Sequence, residues 1–371
     1  MKTLTGLIIA IVVCMASLPH GRADLVEAPD RPTVEIAFVL DTTGSMGGLI
    51  AGAKAKIWAI ANQIVLGDPK PIVRIALVPY RDKGDEYVTK VFDLTNNIDE
   101  VYTQLMKFRA AGGGDGPENV NQALYDAVHK ISWSDGRNTL KIIYLVGDSP
   151  PHNEYKDVPT YDKSAKAAIE KGIYINTILC GGNRQTRGIW EEIAKLSEGT
   201  FLAIAQDGGV RDIPTPYDKD LARLNRELLE TAIVYGKKEV RAEQLALNKM
   251  AKGYDAPAAA ARSSFAAEAG IVASNDLVDD VRNSRVDIDK IDKDLLPVEM
   301  QSISLEELHK RITVNQARRD EINRKIKELS VKRAHFVMKE LAKHPDAKKG
   351  FDFQVLESLR VQASRKGITY K

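Results

Sequence analysis

Between residues 33 and 204, apolar runs of strand length alternate with stretches of helical spacing, and few folds accommodate that alternation. Strands read at about 33–40, 72–80, 88–93, 139–147, 173–179 and 200–204, and helices at about 47–65, 98–109, 118–131, 161–171 and 187–197. The run from Val34 to Leu40 carries a single charge, Glu35, and is otherwise apolar throughout. That is the pattern of parallel strands covered by helices on both faces. Val88 to Phe92 follows Tyr80 too closely for a crossover helix, so it is expected as a short antiparallel edge strand. The expected fold is a doubly wound, mostly parallel six-stranded α/β sheet over residues 32–208, followed by an α-helical C-terminal region over 217–371.

Open α/β sheets bind ligands beyond the carboxyl ends of their strands, and here those ends carry acids and hydroxyls. After the first strand comes Asp41-Thr42-Thr43-Gly44-Ser45-Met46. Alternate residues of an extended loop face the same way, so Asp41, Thr43 and Ser45 can converge on one centre. Carboxylate and hydroxyl oxygens suit Mg²⁺ or Mn²⁺. Alone, the string equally describes a turn and a helix cap. Two further acidic loops weigh against that plainer reading. One is Gly112-Gly113-Gly114-Asp115-Gly116-Pro117-Glu118; the other is Asp148-Ser149-Pro150-Pro151-His152, directly after the strand that ends at Gly147.

Together these motifs resemble the von Willebrand factor A family and its metal-ion-dependent adhesion site. Asp41-Thr42-Thr43-Gly44-Ser45 matches that family's DxSxS, with Thr for one Ser, and Asp148 matches the Asp after a later strand. The middle motif departs from the commonest pattern, which supplies a Thr. Asp115-Gly116-Pro117-Glu118 is instead similar to the D-x-P-E loop of integrin beta subunits, shared by several bacterial members of the family. The resemblance implies a metal set of Asp41, Thr43, Ser45, Glu118 and Asp148, direct or through water. It also implies a second cation site, preferring Ca²⁺, at Asp82, Asp115 and Glu118. Against this stands the reading in which Asp82 and Asp115 cap turns or pair with Arg81 or Lys83. No third ion is expected, because Gly47 and Gly48 stand where the integrin branch has acids. Three carboxylates around a divalent ion make it a weaker electrophile than a set containing a neutral Thr. His152 is a candidate hydrogen-bond donor to Asp148, against the plainer reading of a loop histidine. The resemblance covers about Pro32 to Gln206.

The N-terminus points to a compartment. Lys2 precedes an apolar run from Leu4 to Leu18, and Gly21-Arg22-Ala23 ends in small residues before Asp24, which reads as a cleaved signal peptide over 1–23. A secreted or periplasmic protein follows. Without that segment Cys180 is the sole cysteine, so no intrachain disulfide is possible, and a buried inert thiol is expected. A net charge of +2 offers no general case for nucleic acid.

From Tyr217 onward the helical pattern is nearly continuous. Ser304-Leu305-Glu306-Glu307 is a capping box opening a helix that could run to about Lys343. Asn315, Arg319 and Arg333 interrupt its heptad core, which favours a helical hairpin over a long coiled coil. From Gln301 to Lys371 there are 17 Lys and Arg against 9 Asp and Glu, a solvated basic face by default, or a contact for an anionic surface. The functional expectation is a divalent-metal-dependent protein-binding module, adhesive or scaffolding, not an enzyme. An acidic side chain of a partner protein completes the coordination. The alternative is a metal-dependent hydrolase or a non-catalytic subunit of an envelope enzyme complex. A hydrolase needs a general base beside metal-bound water, and His152 is the sole candidate. The helical half is expected to stand as an independent unit that presents the first domain or self-associates.

Overall fold

The computed structural model describes residues 31–114, 116–209, 213–344 and 349–370; the signal-peptide segment and Asp115 lie outside the described residues. Three long strands form the middle of the sheet. β1 (Thr33–Asp41) pairs in parallel with β2 (Ile72–Tyr80) on one side and β4 (Thr139–Gly147) on the other. β5 (Ile173–Cys180) and β6 (Phe201–Ile204) extend the parallel sheet, and β3 (Phe92–Thr95) closes the other edge antiparallel to β2. The order is β3-β2-β1-β4-β5-β6, six strands as expected. The edge strand starts four residues later than the sequence suggests, with Thr89 making an isolated bridge to Tyr80.

The unbroken apolar character of β1 has the anticipated cause. On one face Ile36, Phe38 and Leu40 pack against α1 (Gly47–Ile64) and α2 (Ile98–Lys107). On the other, Ala37 and Val39 meet α3 (Val120–His129), α4 (Tyr161–Glu170) and α5 (Arg184–Leu196). Glu35, the one charge in the run, is fully buried and is neutralised by Arg74 at 2.6 Å, with Ser134 N donating to its second oxygen at 2.9 Å. Cys180 is a free, buried thiol, and burial pushes its pKa up.

Beyond β6 the chain is helical: α6 (Asp218–Leu229), α7 (Lys238–Lys252), α8 (Ala256–Ala269), α9 (Leu277–Arg282), α10 (Leu305–Leu341) and α11 (Phe351–Ser364). Three expectations change here. First, α10 is one continuous helix, not a hairpin. Its cap is half of the expected box: Glu307 N donates to Ser304 Oγ at 3.1 Å, but the Glu307 carboxylate turns to Arg311. Second, Arg319 does not break the packing. It is buried, held by Thr231 Oγ1 at 2.9 Å, by Asp276 at 2.7 Å and by Asp279.

Third, the helical region does not stand alone. Phe351, Val355, Leu359 and Ala363 of α11 belong to the same buried cluster as Phe38, Ile142 and Tyr144 of the sheet. The Tyr144 hydroxyl donates to Val355 O at 2.9 Å, and Asn176 and Gln362 exchange two hydrogen bonds of 2.9 Å. Helix α8 is also tied to the sheet layer. Arg262 forms a buried ion pair with Asp99 of α2 at 2.7 Å, and the Phe265 ring lies 5.9 Å from that of Trp58. The last helix therefore supplies part of the cover for β1 and β4, although 146 residues separate it from β6.

Candidate metal centre

Asp41 ends β1 with its side chain completely buried. Its Oδ1 accepts two bonds from Thr43, one from the backbone N at 2.9 Å and one from Oγ1 at 2.6 Å. Its Oδ2 has no partner among the described residues. The loop after Asp41 is fastened on two sides. Thr42 N donates to Tyr80 O at 2.9 Å, and Gly44 N to Gly112 O at 3.2 Å. The Arg81 guanidinium donates to Thr42 O at 3.2 Å and to Arg109 O at 2.8 Å.

Glu118 sits at the mouth of α3, 2% exposed, and its Oε2 is likewise without a partner. Gly113, at φ +77°, lets the backbone pass between Glu118 and Thr43; a Cβ there would lie 2.9 Å from Glu118 Oε1 and 3.1 Å from Thr43 Cβ. The Glu118 loop is joined to the one after β4: Glu118 N donates to Pro150 O at 2.9 Å and His152 N to Glu118 O at 3.2 Å. Asp148 is partly exposed. Its oxygens accept from Ser149 Oγ at 2.9 Å and from Gln206 Nε2 at 2.7 Å. Gln206, which follows β6, also reaches Ser45 O at 3.4 Å. It was missed in the sequence, although it lies at a strand end like the acids themselves.

Burial and mutual repulsion set the electrostatics of the cluster. Burial raises the Asp41 carboxyl to about 7; the two Thr43 bonds oppose this, and repulsion from Asp148 adds to it. Burial, followed by repulsion from Asp41, Asp82 and Asp85, raises Glu118 to about 9. Two buried carboxyls that would rather stay protonated, each with an unpaired oxygen, fit a divalent ion better than they fit each other. Among the described residues, no three His, Cys, Asp or Glu side chains close into a ready-made cage. An ion at this place would therefore draw on the hydroxyls of Thr43 and Ser45 and on water as well as on Asp41, Glu118 and Asp148.

The neighbouring acids divide. Asp82 is buried, with Oδ2 accepting from the Tyr155 hydroxyl at 2.9 Å and Oδ1 unpartnered. Asp85 Oδ2 caps the turn at Asp82 N, 3.2 Å, and holds Gly113 N, 3.1 Å. Asp115, the third residue implied for a second cation, lies outside the described residues. The His152 ring lies 3.4 Å from Asp82, touches Glu154 and stacks on Tyr155 at 4.4 Å.

Residues 35–215 match a protein-family model described as the von Willebrand factor A domain. With the strand order, this gives a von Willebrand A-like fold. Among curated proteins, the chain is 41% identical over 212 residues to von Willebrand factor A domain-containing protein 7 of Rattus norvegicus, covering 54% of this chain and 22% of that protein. Against the Homo sapiens protein of the same name it is 36% identical over 213 residues, covering 55% and 22%. The chain thus spans only about a fifth of the length of these relatives. A solved structure of proximal thread matrix protein 1 from the mussel byssus, with a zinc-occupied MIDAS motif, aligns at 17% identity over 48% of this chain and 43% of that one, with a TM-score of 0.38.

Proposed function

We propose that this chain is a divalent-cation-dependent protein-binding module working outside the cytoplasm, and that Asp41, Thr43, Ser45, Glu118 and Asp148 hold the cation, directly or through water. The observation that carries the reading is the pair of buried carboxyls, Asp41 and Glu118, each raised in pKa and each with one oxygen unpaired. The hard oxygens of the set favour Mg²⁺ or Mn²⁺. When bound, the cation supplies an open coordination position that an acidic side chain of a partner protein can fill.

The chain's own residues do the orienting. Thr43 turns Asp41 by holding Oδ1, and Gln206 holds Asp148 Oδ2. The rim beside the site is braced by Lys83, which pairs with Asp157 at 2.7 Å and lies 4.0 Å over the Tyr155 ring. That brace joins the loop at 81–87 to the loop at 152–161, the two that we assign to selecting the partner. Asp82, Asp115 and Glu118 are the residues we assign to a second, Ca²⁺-preferring position; the unpaired Asp82 Oδ1 supports it. The helical region buttresses the sheet, and its basic balance suits an anionic surface. We assign no catalytic residue.

Affinity capture from the native compartment, with Mg²⁺ and with EDTA, tests the function. A partner retained with Mg²⁺, released by EDTA and lost with Asp41→Ala supports it. Capture that ignores EDTA rejects it. The compartment is tested separately by intact mass: a mature chain starting near Asp24 is expected, and a mass that includes residues 1–23 refutes export by cleavage.

A further inference from the structure

Behind the candidate metal centre lies a further buried polar atom without a partner among the described residues. Tyr80 is the last residue of β2, fully buried, and its hydroxyl has no hydrogen-bond partner among the described residues. In the parallel register Tyr80 stands beside Asp41 on β1, with β4 on the far side of β1. The phenol reaches across β1 toward β4. There the structure leaves room by a glycine: a Cβ on Gly147 would lie 2.4 Å from Tyr80 Oη and 3.1 Å from Asp41 Oδ2. The orphan hydroxyl and the orphan carboxylate oxygen therefore border the same small space, the one that Gly147 keeps open.

A buried donor without an acceptor is costly, and so is a buried carboxylate oxygen without a donor. Each of these two atoms is what the other lacks. The other acids whose charges bear on Tyr80 are Glu118 and Asp148. Asp148 already takes bonds from Ser149 and Gln206, and Glu118, whose Oε2 is also unpaired, is not among the atoms nearest a Cβ on Gly147, which leaves Asp41 Oδ2 as the acceptor that borders that space. We infer that Tyr80 is a positioning residue for the metal centre, its hydroxyl donating to Asp41 Oδ2, directly or through one water, when Asp41 is ionised and engaged with the cation. The inference rests on the reading of the site as a metal centre. It gives Asp41 a donor on each oxygen, Thr43 on Oδ1 and Tyr80 on Oδ2, while Oδ2 keeps a second lone pair toward the ion. It also gives Gly147 a reason, since any side chain there would displace the phenol.

The test is Mn²⁺ titration calorimetry on the full chain, with a near-ultraviolet tyrosine difference spectrum recorded at each addition. Wild type, Tyr80→Phe, Asp41→Asn and Tyr87→Phe are compared; Tyr87, whose hydroxyl bonds Thr42 at 2.7 Å, is the control. Expected results are binding by wild type, loss of binding in Asp41→Asn, and Mn²⁺ affinity weakened about tenfold in Tyr80→Phe, the worth of one hydrogen bond to a charged group. The tyrosine difference signal should vanish in Tyr80→Phe and persist in Tyr87→Phe. Without metal, Tyr80→Phe should melt no lower than wild type, because the hydroxyl it loses is unpaired there. Wild-type affinity and an intact difference signal in Tyr80→Phe overturn the inference. So does a metal-free Tyr80→Phe that melts lower with an unchanged metal shift, since that marks a purely packing role. If wild type binds no Mn²⁺, or Asp41→Asn binds as wild type does, the metal centre itself is refuted and this role falls with it.

Discussion

Stripped of metal, the protein should lose stability as pH rises, and Asp41→Asn should restore it. Asp41 is raised from an ordinary 3.8 to about 7, chiefly by burial. The folded state thus keeps a proton that the unfolded chain has released. Stability is full below about pH 4, declines as pH rises toward 7, and levels off for this group above it. Glu118, raised from 4.5 to about 9, extends the decline to about pH 9. For Asp41 the displacement is about three pK units, and at ~1.4 kcal/mol per unit the loss is about 4 kcal/mol. Asn removes the ionisation while its carbonyl oxygen keeps the two Thr43 bonds. In EDTA at about pH 8, Asp41→Asn should therefore be more stable than wild type by an amount approaching that figure. The gap should narrow with Mg²⁺ or Mn²⁺: at a hundredfold excess over Kd, wild type gains about 2.7 kcal/mol and the variant nothing, which leaves the variant ahead by only about 1 kcal/mol. Urea denaturation at about pH 5 and about pH 8, with EDTA and with metal, measures all four differences. A metal-free wild type equally stable at both pH values, or an Asn variant weaker than wild type in EDTA, would refute the electrostatic account. Equal metal shifts would remove Asp41 from the site.

The packing and the acids carry further expected outcomes. Leu359→Ala, which empties a fully buried position between α11 and the sheet, should cost about 2–5 kcal/mol in urea denaturation, and a chain ending at residue 216 should fail to melt cooperatively; a soluble, cooperatively melting fragment would show that α11 is dispensable. Asp99→Ala strands the buried Arg262 guanidinium and should cost about 3–5 kcal/mol, read the same way; a loss below about 1 kcal/mol would mean that the pair is solvated. Calcium titration calorimetry should count one site fewer in Asp82→Ala than in wild type; identical stoichiometry rejects the second cation.

Much of this protein is decided locally, and that part is legible in the residues. The apolar runs ending at Asp41 and Gly147 specify buried parallel strands wherever they are placed, because no half-exposed sheet tolerates them. The short reach from Tyr80 to Phe92 forbids a crossover, so the edge strand had to run antiparallel. The acids at the strand ends follow from the same register, which puts Asp41 and the residue after Gly147 on one edge of the sheet. What the tertiary structure alone decided are partnerships across long stretches of chain. The apolar spacing of Phe351, Val355 and Leu359 announces a helix face, but nothing in it says that the face covers Phe38 and Tyr144. Arg319 looks like a fault in a heptad until Asp276 and Asp279 are seen around it, and Arg262 looks like a solvated charge in an Ala-rich helix until Asp99 is. Tyr80 reads as one more apolar residue of β2, and its polar end acquires meaning only where β1 and β4 bring Asp41 and Gly147 beside it. Periodicity reports which side of an element is buried. It carries no information on which distant side chain will share that burial, and a buried charge or hydroxyl is defined by that neighbour.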